Sequence, residues 1–225
     1  MMGIGNNQLM KKKINGRPQF ISNTKNFVSA FPYTLILTKP IDVVAGDLLL
    51  ILLASDGATS DIRSTSVATF THIQNGTFSS SGCQYGAFWR IADGTEASTL
   101  TPTFYLTFAR AGFYVHIKGA NATTPIGNVS ATGGTSASTS ATYTGVTGDI
   151  DDLGIFVEAF EGGDGAPFTI SGGSWTKADD IESGASSGVS GCFATLIYSA
   201  TTAVSVTSVS AVSDGHSGCQ FRIKK

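Results

Sequence analysis

The sequence predicts an all-β fold, a jelly-roll-like β-sandwich built from two related halves, and three observations carry that reading. Strand-length apolar or alternating runs recur along all but the first thirty residues. Clusters of Gly, Pro, Asn, Asp and Ser separate them, and the order of the segments repeats once along the chain. Composition agrees: 41% of the 225 residues are hydrophobic, but only 13% are charged, about half of the ~25% usual in soluble domains. Fourteen Phe and 27 Gly supply large apolar wedges and many turns.

Taken in order, the predicted strands are residues 33–38, 47–54, 84–91, 103–108 and 112–118, then 153–160, 192–199, 203–212 and 218–224. Asp-Gly steps at 56–57, 93–94, 164–165 and 214–215 provide residues that tolerate a positive φ at turns. The run Leu48–Leu53 has no alternation, but its length and the flanking Gly46 and Gly57 favour a central strand over a helix. Residues 1–30 show no strong period and read as an extended arm, disordered alone or ordered on a neighbour.

The repeat is internal. Asp47-Leu48 opens a strand that ends at Ala54, and Asp152-Leu153 opens one that ends at Ala159. Phe70-Thr71-His72 matches Trp175-Thr176-Lys177 at the same offset of 105 residues. Ser-Gly-Cys at 81–83 matches Ser-Gly-Cys at 190–192 at an offset of 109, which aligns Trp89 with Tyr198. Val115-His116-Ile117-Lys118 matches Phe221-Arg222-Ile223-Lys224 at 106. The halves are therefore set at about 31–120 and 141–225, within one sandwich spanning 31–225. The Thr/Ser/Gly-rich stretch 121–140 joins them, either as a linker or with Ser136–Tyr143 as an edge strand. A sheet with one apolar face is most simply covered by its own copy, which favours one sandwich over two small barrels.

Charge and cysteine content exclude several classes. A formal net charge of −2 gives no global argument for nucleic-acid binding. The longest apolar run, Leu48–Ala54, is far short of the ~20 residues of a membrane helix, so no membrane is expected as a partner. Lys11-Lys12-Lys13 are followed by Ile-Asn-Gly-Arg-Pro rather than an apolar stretch, which is not a secretory signal, and a cytosolic origin is expected. Lys11, Lys12, Lys13 and Arg17 are the candidate partner-binding residues, an arm that lies on an acidic surface if it is more than a solvated tail. Cys83, Cys192 and Cys219 fit neither a zinc site nor a redox motif and are expected as buried thiols.

No catalytic residue, cofactor or metal site is expected. His72, His116 and His216 occur in no metal-binding spacing, and the alternation of His116 with Val115 and Ile117 predicts a surface histidine. No nucleophile elbow or phosphate-binding loop is present. Asp149, Asp151 and Asp152, and Asp179, Asp180 and Glu182, form acidic clusters that suit either solvated turns or calcium. Trp89 and Trp175, with Tyr85, Tyr105 and Tyr114, either stack on sugars or fill the core, and interchange of aromatics between the halves favours the core. The sequons at Asn75, Asn121 and Asn128 are assigned no role.

The repeated block resembles small virion structural proteins of tailed bacteriophages. The resemblance rests on Gly46-Asp47-Leu48-Leu49-Leu50, on the aromatic-Thr pairs Phe70-Thr71 and Trp175-Thr176, and on Phe88-Trp89-Arg90-Ile91-Ala92-Asp93-Gly94-Thr95-Glu96. It covers residues 32–225, with the second copy more degenerate at 199–202. It implies a non-enzymatic β-sandwich on a virion made in the host cytoplasm: a capsid decoration (cement) protein bound to the major capsid protein or other virion proteins. A homo-oligomer, with a trimer as one form, is implied too. The alternatives are a tail or tail-fibre subunit that binds host glycan, and a free carbohydrate-binding module; a glycosidase is the enzyme option.

Overall fold

The computed structural model describes residues 16–29, 34–57, 61–77, 82–183 and 188–225, and its regular elements are all strands. In chain order they are β1 (Gln19–Val28), β2 (Leu37–Thr38), β3 (Leu48–Ser55), β4 (Thr71–Gly76), β5 (Gln84–Ile91), β6 (Thr99–Leu100) and β7 (Arg110–Lys118). They continue with β8 (Ile126–Val129), β9 (Gly133–Tyr143), β10 (Leu153–Glu161), β11 (Thr169–Ser171), β12 (Thr176–Glu182), β13 (Val189–Ile197) and β14 (Val206–Ile223). One antiparallel sheet has the order β1-β7-β3-β5-β4. The other has the order β11-β14-β10-β13-β12, with β8 and β9 also paired to β14, and β2 and β6 pair as a separate two-stranded ribbon.

The fold is all-β, and its two sheets share one interior. Leu48, Leu50, Leu52 and Ala54 of β3 meet Leu153, Ile155, Val157 and Ala159 of β10 in a single buried cluster. Phe113 of β7 and Phe20 of β1 both pack edge-on against Phe193 of β13, with ring centroids 5.0 and 5.7 Å apart. Each sheet also buries its other face. Leu49, Ile51 and Leu53 lie under a roof that includes Leu35, Leu37, Ile62, Val67 and Phe70. Phe156, Phe160 and Leu196 lie under Tyr143, Phe168, Trp175 and Val206. Burial on both faces is why the Leu48–Leu53 run does not alternate.

The segments matched in sequence occupy matching places. The order β7-β3-β5-β4 corresponds to β14-β10-β13-β12. Leu48 pairs with Ile91 and Ile117, as Leu153 pairs with Ile197 and Ile223. A register shift falls between His72 and Gln74 in β4 and between Lys177 and Asp179 in β12, 105 positions apart. Across the interior β3 lies against β10, β5 against β14, β7 against β13, and β1 against β12. Such reversed lateral order relates the sheets by an approximate twofold axis running along the strands, so β3 and β10 start at the same end.

Several expectations change at this level. Each sheet is drawn mainly from one half, so strands do not alternate between the sheets in jelly-roll fashion. Residues 19–28 are not an arm but β1, paired along its length with β7. The joining stretch is not a linker: β8 and β9 pair with β14. Residues 103–108 form no strand, and 203–212 with 218–224 belong to the continuous β14. The Ser-Gly-Cys match is out of register. Gln84 faces Ser55 where Ser190 faces Phe160, so the counterpart of Tyr198 is Ala92 and not Trp89. A three-residue identity carried less weight than the strand pairing around it.

A shared interior predicts one cooperative unfolding transition. Phe193→Ala should cost about 3–5 kcal/mol and move far-ultraviolet dichroism and tryptophan fluorescence together in urea; two separated transitions would mean that the halves are stable independently.

Candidate docking surface

The end of the sandwich where β3 and β10 begin is built from two similar turns. Asp47 and Asp152 are buried, and each accepts from an amide three residues earlier: Val44 N to Asp47 Oδ2 at 3.0 Å, Asp149 N to Asp152 Oδ2 at 3.2 Å. The backbone repeats the pattern, with Asp47 N donating to Val44 O and Asp152 N to Asp149 O. Both turns need a left-handed residue, Gly46 at φ 93° and Asp151 at φ 73°. The carboxylates are then tied to β7 and β14. His116 Nε2 donates to Asp47 Oδ2 at 2.7 Å, and Arg222 Nη1 to Asp152 Oδ2 at 3.1 Å.

This end is where the predicted surface histidine is corrected. His116 is fully buried, because β7 is an inner strand of a sheet covered on both sides, so pointing away from Val115 and Ile117 does not mean pointing at water. The turns it helps to fix carry apolar side chains outward: Ile41 is 78% exposed, Val44 55% and Ile150 58%. Isolated exposed aliphatics are ordinary, but these three stand on or beside the two hydrogen-bonded turns at one end of the sandwich. Arg17 lies at the same end, its Nη1 3.9 Å from Asp151 Oδ1, which also accepts Lys225 Nζ at its other oxygen. Lys11, Lys12 and Lys13 lie outside the described residues.

The acidic clusters are occupied by cations of the same chain. Arg222 bridges Asp149 and Asp152, while Asn23 and Lys25 of β1 cross to Asp179 and Lys177 binds Asp180. Among the described residues no group of three or more His, Cys, Asp or Glu is arranged to hold a metal ion. The aromatics are packing groups: Trp175 is buried with Nε1 donating to Val204 O at 3.4 Å, and Trp89 packs against the central cluster. Tyr105 is 40% exposed under the Arg63 guanidinium. A groove of about 510 Å³ opens between the β1 and β12 edges, lined by Lys25, Phe27, Pro167, Asp180, Ile181 and Glu182. The three cysteines are buried and not bridged.

One constellation has the order of a catalytic relay, and sequence spacing gave no sign of it. Ser210 Oγ lies 3.3 Å from His216 Nε2, and His216 Nδ1 lies 2.5 Å from Glu158 Oε1. Its hydrogen bonds argue for a structural role. His216 Nε2 also faces the Ser138 carbonyl at 3.0 Å, which can only accept, so that nitrogen carries the hydrogen and donates. An Nε2 so engaged has no lone pair to take a proton from Ser210, whose hydroxyl already donates to Val212 O at 2.7 Å. Glu158 in turn accepts Tyr143 Oη at 2.7 Å and Cys192 Sγ at 3.3 Å. Burial, then the Glu158 charge, pushes the Tyr143 hydroxyl and Cys192 thiol well up, keeping both as donors. The cluster sits where β9 and β14 leave the sheet plane, the register skipping from Val209 to Asp214 to His216. It pins the bend by which Tyr143 and Val206 come to roof the second sheet.

At the far end of β3 and β10, Asp56 and Glu161 occupy equivalent positions beside Asp214. Burial and then the Asp214 charge push the Asp56 carboxyl up to about 6. Burial, Asp214 and Asp56 push the Glu161 carboxyl up to about 7. No family model, no curated protein and no solved structure matches this chain.

Two predictions follow from these groups. Glu158→Gln takes a buried acceptor from His216, Tyr143 and Cys192 and should cost about 1–3 kcal/mol in urea unfolding. For the carboxylates, the folded state holds more protons than the unfolded one between about pH 4 and pH 7. Stability from this source is therefore present at the acid side and lost as pH rises through that window. The thermal midpoint should rise on acidification from neutral pH towards pH 5, and Asp214→Asn should flatten that profile and raise the midpoint at neutral pH.

Proposed function

We propose that this chain is a non-enzymatic virion structural protein of a tailed phage, and that it decorates the capsid by docking the end formed by the Val44–Asp47 and Asp149–Asp152 turns. The observation that carries the reading is the coincidence at that end of three exposed aliphatics on tied-down turns with Arg17, which leads back to the Lys11-Lys12-Lys13 segment. Apolar contacts supply the buried area of such an interface, and the basic segment supplies orientation on an acidic partner such as the major capsid protein. The sequence resemblance supports the virion assignment, and the buried His216, its Nε2 facing the Ser138 carbonyl rather than free to act on Ser210, supports a structural role for that cluster. Glycan binding by a tail subunit or a free carbohydrate-binding module has less behind it, since Trp89 and Trp175 are both committed to packing.

The test is co-sedimentation with capsids assembled without this protein. Saturable, stoichiometric binding is expected, reduced ~10-fold or more by Ile41→Asp or Ile150→Asp and by deletion of residues 1–16, with thermal stability unchanged. Full retention by the truncated and substituted proteins would remove the arm and this end from the interface.

A further inference from the structure

Among the described residues of the two large sheets, the strands with an open lateral edge are β1, β4, β8, β9, β11 and β12; β8 and β11 run only four and three residues, and β1, β4 and β12 are guarded against pairing with another chain. β12 carries Lys177, Asp179, Asp180 and Glu182 together with a bulge, so two copies would bring carboxylates together. β1 is bulged between Phe20 and Ser22, carries Lys25 tied to Asp179, and is flanked by the 36–38 strap, to which Asn26 Nδ2 donates at Ile36 O, 2.9 Å. β4 is short and bulged, with Gln74 and Gly76 lying against Thr132. β9 differs. It runs eleven residues with no charge and no proline, and among the described residues its only partner is β14.

We infer that the outer edge of β9 pairs with the same strand of a second copy, around a twofold axis near Ala141 that sets Ser140 opposite Thr142. The stretch Ser140–Tyr143 keeps an unbroken antiparallel register with Val209–Val206, so its backbone is extended, and the Ser140 amide, held by Ser138 Oγ at 3.1 Å, exchanges that local bond for the new strand. Ala137, Thr139, Ser140 and Thr142 are exposed. Antiparallel pairing of identical strands is self-complementary, and an uncharged edge meets its copy without repulsion. The side chains suit it, because Thr142 already makes a hydroxyl pair with Thr207 at 2.9 Å across the inner register. Only a few residues take part before the bend at Ser138, so the interface is small and the isolated dimer weak. Copies held side by side on a larger surface reach the local concentration at which it forms. The pairing itself needs no virion and is tested apart from that reading.

Sedimentation velocity of the full chain over roughly 1 µM to 1 mM spans the range expected of a small interface. A concentration-dependent shift from monomer to dimer is expected. Ser140→Lys with Thr142→Lys should restore the monomer across the range while leaving the thermal midpoint nearly unchanged. A monomer at every concentration, a trimer or open-ended series, or a dimer indifferent to both lysines would each overturn the inference.

Discussion

Everything in this molecule depends on two central strands that must be buried on both faces. β3 and β10 offer apolar side chains to the interior and to the outside of their own sheets, so packing the sheets against each other solves only half of the problem. The second layer on each side is built from what would otherwise be loops. Residues 35–37 and 62–70 cover the first sheet, and the folded-over ends of β9 and β14 cover the second. That demand accounts for the low charge content, because nearly every segment between the strands has an apolar duty.

Roofing the second sheet requires a long ribbon to bend sharply, and bends expose backbone groups to a dry interior. The Glu158–His216 pair answers this, with Tyr143, Cys192, Ser210 and the Ser138 carbonyl each taking one place in the network. A buried polar network adds little net stability compared with a well-packed apolar substitute. Its value here is geometric: it fixes which residues of β9 and β14 meet at the corner, where the ladder itself is interrupted.

The strands with strong apolar runs were legible in the sequence, because Asp-Leu openings and apolar length survive without knowledge of partners, and the segments matched there fall at corresponding places in the two sheets. β5 lies where its pattern places it. What escaped notice had weak patterning for a physical reason. β1, β4 and β12 are edge strands that bury one face at most; β9, Ser/Thr-rich where its outer edge meets solvent, was legible only as one of two alternatives, an edge strand over Ser136–Tyr143 or a linker. The same limit hid the candidate docking end. Ile41, Val44 and Ile150 are exposed only because their turns project, and His116 is buried only because loops roof its sheet; neither fact has a signature in spacing.

The approximate twofold axis also imposes a cost. Equivalent residues close to the axis are brought towards each other, so like meets like. At the ends of β3 and β10 this sets Asp56 near Glu161, with Asp214 beside them, and burial makes the repulsion felt as raised carboxyl affinities for protons. Read without the symmetry, such a pair of carboxyls with separated affinities invites assignment as a general acid and base. With the symmetry in view, the arrangement arises from the packing of two copies of one strand plan, and the same plan places Asp47 and Asp152 at the opposite ends of those strands. There the charges are not left to meet: His116 in one half and Arg222 in the other take up each carboxylate. The two sheets differ most usefully where the axis would otherwise have been expensive, and the end so neutralised is the one that carries the exposed aliphatic turns.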